Sequence, residues 1–347
     1  MKTLPKTIES GTWKAGHCQG IAVDTEKGFV YYSFTTLLVK TDLDGNFIGS
    51  VTGLCGHLGC IAFSKDDGLV YGSLEYKSDS IGRGILKMLG DSREIPDRFY
   101  IAIFDVDRIT EADMDSREIM RCSCLREVID DYLADVILAD GREVKHRHGC
   151  SGIDGTAVGP MFGCAKDSEN FLFVSYGVYG DTSREDNDYQ VLLRYSLDEL
   201  KKNSAPLDQS DMHMIGAEHL GKYFVYTGNT VYGVQNLEYD PYSGKYFMAV
   251  YRGKKENFPN PPMFAVDQSA EVKREVLSGV YPETVGDVVA LDEKGTQGYS
   301  FGYGQTGMAS LGGGLFYFSH EGHNENGQYT AVKLYRYENG EFEGLYE

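Results

Sequence analysis

His17 and His57 open two stretches that nearly repeat. GHCQGIAVDTEKGFVYYSF starts at Gly16 and GHLGCIAFSKDDGLVYGSL at Gly56, with eight of nineteen positions identical. Each histidine lies four residues before an isoleucine, Ile21 or Ile61, and His148 lies five before Ile153 in RHGCSGID. Equivalent positions of a closed repeat surround one axis, so His17, His57 and His148 are expected to face one another. Neutral imidazoles can act as general bases or, with carboxylates, hold Zn, Mn or Fe. One divalent metal ion of unassigned identity, on His17, His57 and His148, is therefore one expectation. It would polarise a carbonyl or acidify water. The alternative is that His17 and His57 only bond neighbouring backbone, because structural repeats copy structural residues.

Other polar groups join this candidate site. In the last two copies Gln235 and Gln305 stand where the histidines would be. Glu75, Tyr176, Tyr251, Arg252, His320 and Glu321 follow the second strand of a copy and belong at the same rim. Without a metal, a histidine is the base, Glu75 or Glu321 the acid, and Arg252 an anion clamp. Asp154 and Glu238 follow the apolar anchor where other copies have Ala22, Ala62 and Ala309. Carboxyls are costly to bury there unpaired, and if the two are close, one is held protonated as an acid. Cys18 and Cys150 adjoin His17 and His148, but no local nucleophile motif surrounds them. No Walker, Rossmann, HExxH, EF-hand or CxxC zinc pattern occurs.

The elements that must position these groups follow from the repeat. Counting from the turn residues Gly28, Gly68, Asn170, Gly244 and Gly314, an aromatic lies three residues on: Tyr31, Tyr71, Phe173, Phe247 and Tyr317. Serine lies five on in four of the copies. Glycine and asparagine best tolerate the positive φ of tight turns. Further β-like runs, such as LLVKTDLDG and YIAIFDVDR, follow each copy. Strand, turn, strand, loop, strand, turn, strand is the pattern of a propeller blade. The fold expected is all-β, a five-bladed β-propeller of four-stranded antiparallel blades, with residues 1–347 as one propeller domain. Ser80 to Ile95 and Leu125 to Ile137 are expected to hold short helical insertions. A six-bladed ring is the alternative, if Tyr281 to Tyr299 contains a degenerate blade. The aromatics are expected to pack between blades.

Turns at one end of the ring are short, and the connections at the other are long. Long loops on a rigid scaffold are where binding residues concentrate, so the His-rich rim is the functional end. A formal net charge of -19 opposes nucleic acid and acidic membrane surfaces as partners. Seven cysteines without a spacing framework, no leader-like apolar stretch and no run of membrane-spanning length point to a cytoplasmic protein.

GxVYxS and LxKxDLDG resemble the blades of NHL and SMP-30-like β-propellers. The resemblance covers nearly the whole chain and implies the fold. Propellers of that style include lactonases and other metal-dependent enzymes, sugar-polymer lyases and hydrolases, and binding scaffolds. Two functions are consistent with the residues. One is a lyase or hydrolase acting on a small carbohydrate-like or polar molecule, with tyrosine-rich loops stacking on sugar rings. The other is a non-catalytic scaffold binding a protein or ligand through the same face. An enzyme requires a deep pocket with acid and base in reach; a scaffold requires a filled mouth with each histidine bonded to backbone.

Overall fold

A computed structural model of the chain describes residues 4–138, 140–228, 230–256, 258–277, 284–289 and 296–346. It is a five-bladed β-propeller. Each blade begins with an inner strand beside the axis: Cys18–Asp24, His57–Phe63, Ile153–Pro160, Asn236–Asp240 and Met308–Gly312. Successive inner strands touch, and the last touches the first, so the ring is closed. Tight hairpins at Gly28 (φ 80°) and Gly68 (φ 74°) use the left-handed backbone that glycine adopts without strain.

The repeat has a packing cause. Tyr31, Tyr71, Phe173, Phe247 and Tyr317 are all fully buried. Tyr31 stacks on Phe63 of the second blade at 6.1 Å, and Phe247 meets Phe316 of the fifth edge-on at 5.4 Å. Burying such a ring contributes roughly 2–3 kcal/mol. Two of the serines at plus five stitch blades together, while Ser175 and Ser319 bond within their own blades. Ser33 donates to the Gly59 carbonyl (2.6 Å) and Ser73 to that of Asp154 (2.8 Å), each on the next inner strand.

The third copy is set in a different frame from the one its sequence suggests. Cross-strand pairing aligns Ala157, not Asp154, with Ala22, Ala62, Glu238 and Ala309, because each of these opposes the core aromatic of its own copy. The long connection between Pro160 and Asn170 displaces the apolar anchor Ile153 from the place its partners occupy.

The outer strands also depart from expectation. EVKREVLSG, which follows the third strand of the fourth copy, does not finish that blade: its Val272–Val276 pairs with Val285–Val289 and extends the third sheet through a parallel contact with Gly221–Tyr226. Thr296–Tyr299 finishes the fourth blade instead. The described parts of Tyr281 to Tyr299 thus extend the third and fourth blades, and residues 278–283 and 290–295 of that region lie outside the described residues. In the fifth blade the long strand Gly327–Glu338 shares its edge. Thr7–Trp13 covers one half and Glu341–Gly344 the other, so the first strand of the chain closes the last blade. SHEGHNENGQYT, one of the long connections of the functional end, is the tip of a hairpin of long strands.

Two helices fall within the expected insertions, Ser80–Met88 and Arg126–Leu133. The first starts at Asp79, whose carboxylate accepts from the Ile81 and Gly82 amides at 2.9 Å. Among the described residues no helix is long and apolar enough to cross a membrane. All seven cysteines are free.

Candidate active site

One mouth of the ring holds a cavity of about 350 Å³. Its walls come from two levels of the inner strands. Nearest the rim are His17 and His57, with Gly152 and Gly233 at the same level; two residues inward on each strand sit Gln19, Gly59, Asp154 and Gln235. A register shift in each of the first three inner strands turns these positions toward the axis. Second strands contribute the residues four beyond each core aromatic: Thr35, Glu75, Gly177 and Tyr251. The helix Ser80–Met88 roofs one side with Ile81, Gly84, Ile85 and Met88. Gly82 permits this close seat, since a Cβ there would lie 1.7 Å from the Lys77 carbonyl oxygen.

The chemistry gathers on the second and third blades. Glu75 pairs across strands with His57, and Lys77 lies two residues on, on the same face. The Lys77 ammonium is 2.7 Å from Glu75 Oε1 and donates to the Ser151 carbonyl at 2.9 Å. Glu75 Oε2 accepts from the Ile153 amide at 3.0 Å. His57 Nδ1 lies 3.7 Å from Glu75 Oε1 and 3.8 Å from Asp154 Oδ1 and makes no hydrogen bond. Gly59 and Gly152 make room for this group. A Cβ on Gly59 would lie 2.9 Å from Asp154 Oδ1, and one on Gly152 only 2.1 Å from Glu75 Oε2.

Burial sets the protonation. It drives Asp154 well above the carboxylate range, and the neighbouring charge of Glu75 pushes the same way. It also raises Glu75, against the pull of Lys77. For Lys77 burial favours the neutral amine, but Glu75 and Asp79 outweigh it and keep the ammonium charged. His57 is lowered to about 3 by burial, then by Lys77 and His17. Burial thus favours the neutral imidazole at His57 and the protonated form at Asp154, beside the Glu75–Lys77 ion pair.

The remaining wall suits a polyhydroxylated molecule. Gln19 and Gln235 offer amides, and Tyr179 and Tyr251 offer ring faces. Tyr232 braces both tyrosines edge-on, at 5.3 and 5.6 Å.

Several residues expected at this mouth are elsewhere. His148 does not meet His17 and His57. It sits in a 3₁₀ turn at φ 55°, edge-on to Phe224 at 4.9 Å, lowered to about 3 by burial. Tyr176 is buried inside the third blade, where its hydroxyl donates to Asp131. His320 stacks on Tyr303 at 4.0 Å and bonds the Tyr335 hydroxyl at 2.9 Å. Tyr176 and His320 are three residues beyond the core aromatic and Arg252 five, where strand alternation turns side chains away from the pocket. Arg252 lines a different cleft with Phe258 and Pro259. The Gln305 side chain donates to the Pro262 carbonyl. Glu321 stands outside the pocket, 3.6 Å from the half-exposed His17. Glu238 lies at the opposite end of the axis, so it does not pair with Asp154. Burial raises it to about 8.

Among the described residues no three His, Cys, Asp or Glu side chains group to hold a metal ion. The ammonium of Lys77 occupies the cation position beside Glu75. Lys77, Gln19 and Tyr179 were not singled out from the sequence. Alternation from Glu75 would have found Lys77, which is two residues further on.

No protein-family model and no curated protein matches the chain. Among solved structures it overlaps the soluble aldose sugar dehydrogenase from Escherichia coli in its apo form, at 10% identity and TM-score 0.39, over 93% of this chain and 88% of that one. It also overlaps the holo form of the pyranose dehydrogenase PQQ domain from Coprinopsis cinerea, at 12% identity and TM-score 0.34, over 90% and 81%. Overlap this loose carries nothing about chemistry.

Proposed function

We propose that this chain is an acid–base enzyme of lyase or hydrolase type, cleaving a C–O bond in a small, uncharged, carbohydrate-like molecule bound in the His57 pocket. The observation that carries the reading is the unbonded Nδ1 of His57, held between the carboxyls of Glu75 and Asp154 in a deep cavity. A binding scaffold has no use for a buried imidazole nitrogen without a partner, which is costly to maintain.

The roles follow from the protonation states. His57 takes a proton, from carbon in an elimination or from water in a hydrolysis. The released electron pair forms the new C=C or C–O bond. The scissile C–O bond breaks, and Asp154 donates its proton to the departing oxygen. Glu75 and Lys77 cancel each other's charge and fix the edge of the pocket beside His57. A neutral wall with amides and tyrosine faces favours hydroxyl groups over ionic ones. The divalent ion considered from the sequence has no part in this proposal.

The test is to incubate the protein with aryl glycosides, sugar lactones and related polyols, and to follow products by NMR. His57→Ala and Asp154→Asn are expected to lower turnover by roughly 10²–10⁴ each while the propeller stays folded. A fully active His57→Ala protein refutes the assignment, as does a wild-type protein that binds these molecules in the pocket and converts none.

A further inference from the structure

At the opposite end of the axis the inner strands surround a second cavity, of about 280 Å³. Four blades place alanine at its register level, Ala22, Ala62, Ala157 and Ala309, and the fourth blade alone places a carboxyl there, Glu238. Glu238 Oε1 accepts from the Ser310 amide at 2.8 Å. Among the described residues Oε2 has no hydrogen-bond partner, and the carboxyl lines the cavity. The free Oε2, beside the side chains of Ile21, Ile61 and Val158, is open to a polar group that enters the cavity.

The rim carries the complementary feature. Lys65 and Lys166 both line the cavity, and both are exposed. Neither makes an ion pair among the described residues, although Asp167, beside Lys166, lines the same cavity and Lys65 acts through space on Glu238. Asp67 is taken by Lys201 (2.9 Å) and Asp66 by the Asn170 amide (2.9 Å). In a chain with a formal net charge of -19, two ammonium groups outnumber the one carboxylate, Asp167, at this rim.

We propose that this cavity is a second ligand site, separate from the His57 pocket, for a small zwitterion whose ammonium meets Glu238 and whose anionic end lies between Lys65 and Lys166. The apolar side chains of Ile21, Ile61 and Val158 on the cavity wall suit a short methylene chain. Nothing in this assignment depends on the reaction proposed for the other mouth.

The probes are ω-amino acids from 3-aminopropanoate to 6-aminohexanoate, with pentanoate and 1-aminopentane as single-ended controls. Titration calorimetry on the full chain reads their binding. At least one ω-amino acid is expected to bind, roughly tenfold or more tighter than either control. Glu238→Gln keeps an acceptor for Ser310 and is expected to weaken binding about tenfold. The exposed pair Lys65→Ala/Lys166→Ala is expected to do the same, and it decides the matter if Glu238→Gln does not fold. His57→Ala is expected to leave binding unchanged, which separates this site from the first. No binding by any member at roughly 10 mM, or binding untouched by these changes, overturns the proposal.

Discussion

Replacing His57 by glutamine isolates one proton on which the proposed chemistry depends. In the unfolded chain His57 has its ordinary pKa of 6.5, and in the folded protein burial lowers it to about 3. Between these values the unfolded state carries a proton that the native state lacks. Stability from a depressed group is fully present above pH 6.5 and is lost as pH falls toward the folded value. Each pH unit in that window costs about 1.4 kcal/mol per proton. Going from pH 8 to pH 5 crosses about 1.5 units of it, so the loss assigned to His57 is roughly 2 kcal/mol. His148 is depressed similarly, but both proteins carry it and it cancels in the difference.

The assay is urea unfolding of wild type and His57→Gln at pH 8 and pH 5. The wild type is expected to lose roughly 2 kcal/mol more than the variant. NMR of the imidazole should show no titration near pH 6.5. The opposite assignment puts the proton on His57, as an imidazolium between Glu75 and Asp154. It would raise the folded pKa and reverse the sign of the difference. A wild type that loses no more than the variant, or an imidazole titrating above pH 6.5, removes both the base and the protonated acid from the mechanism.

Two further changes test the scaffold of the site. Lys77→Met leaves Glu75 buried beside an apolar group and is expected to cost about 3–5 kcal/mol; adding Glu75→Gln should recover much of it, read by the same unfolding measurement. Asn236→Ala removes a buried amide that reaches the Gln19 carbonyl of the first blade (2.8 Å) and the Gln305 carbonyl ahead of the fifth (2.9 Å). It removes one hydrogen bond from each carbonyl and is expected to cost about 2–5 kcal/mol in urea unfolding, with a loosened mouth seen as faster amide exchange at Gln19 and Gln235.

The ring was legible because its repeat is carried by packing residues that cannot vary freely. The aromatic three beyond each turn fills the space between blades, and in the first two copies the serine two further on reaches the next inner strand. The polar residues were legible only where that frame held. His17, His57 and Glu75 fall in copies whose hairpins are tight, and all three line the cavity. In the third copy the hairpin connection is longer. Matching Ile153 to Ile21 and Ile61 therefore shifted the frame by three residues and drew Asp154 level with Glu238. The same slip made His148 look equivalent to His17, when Gly152 holds that place. Strand alternation would have separated Glu75, Tyr251 and Glu321, four beyond their aromatics, from Tyr176, His320 and Arg252. The exchange of outer strands between the third and fourth blades was not legible, because one short β-run satisfies either edge equally well.

The corrected frame also explains why the pocket is lopsided. At the level of the two histidines the other three blades carry Gly152, Gly233 and Gly304. A full ring of five side chains would plug so narrow an axis, whereas three bare backbones open it. Opening it there leaves His57 as the one buried imidazole on the wall, because His17 is half exposed beside Glu321. With a single buried imidazole, the partner for any proton it takes must come from the neighbouring strands. Glu75 is already committed to Lys77 and the Ile153 amide. Asp154 is the group that remains, and its place opposite the bare Gly59 is what lets it face His57 at all.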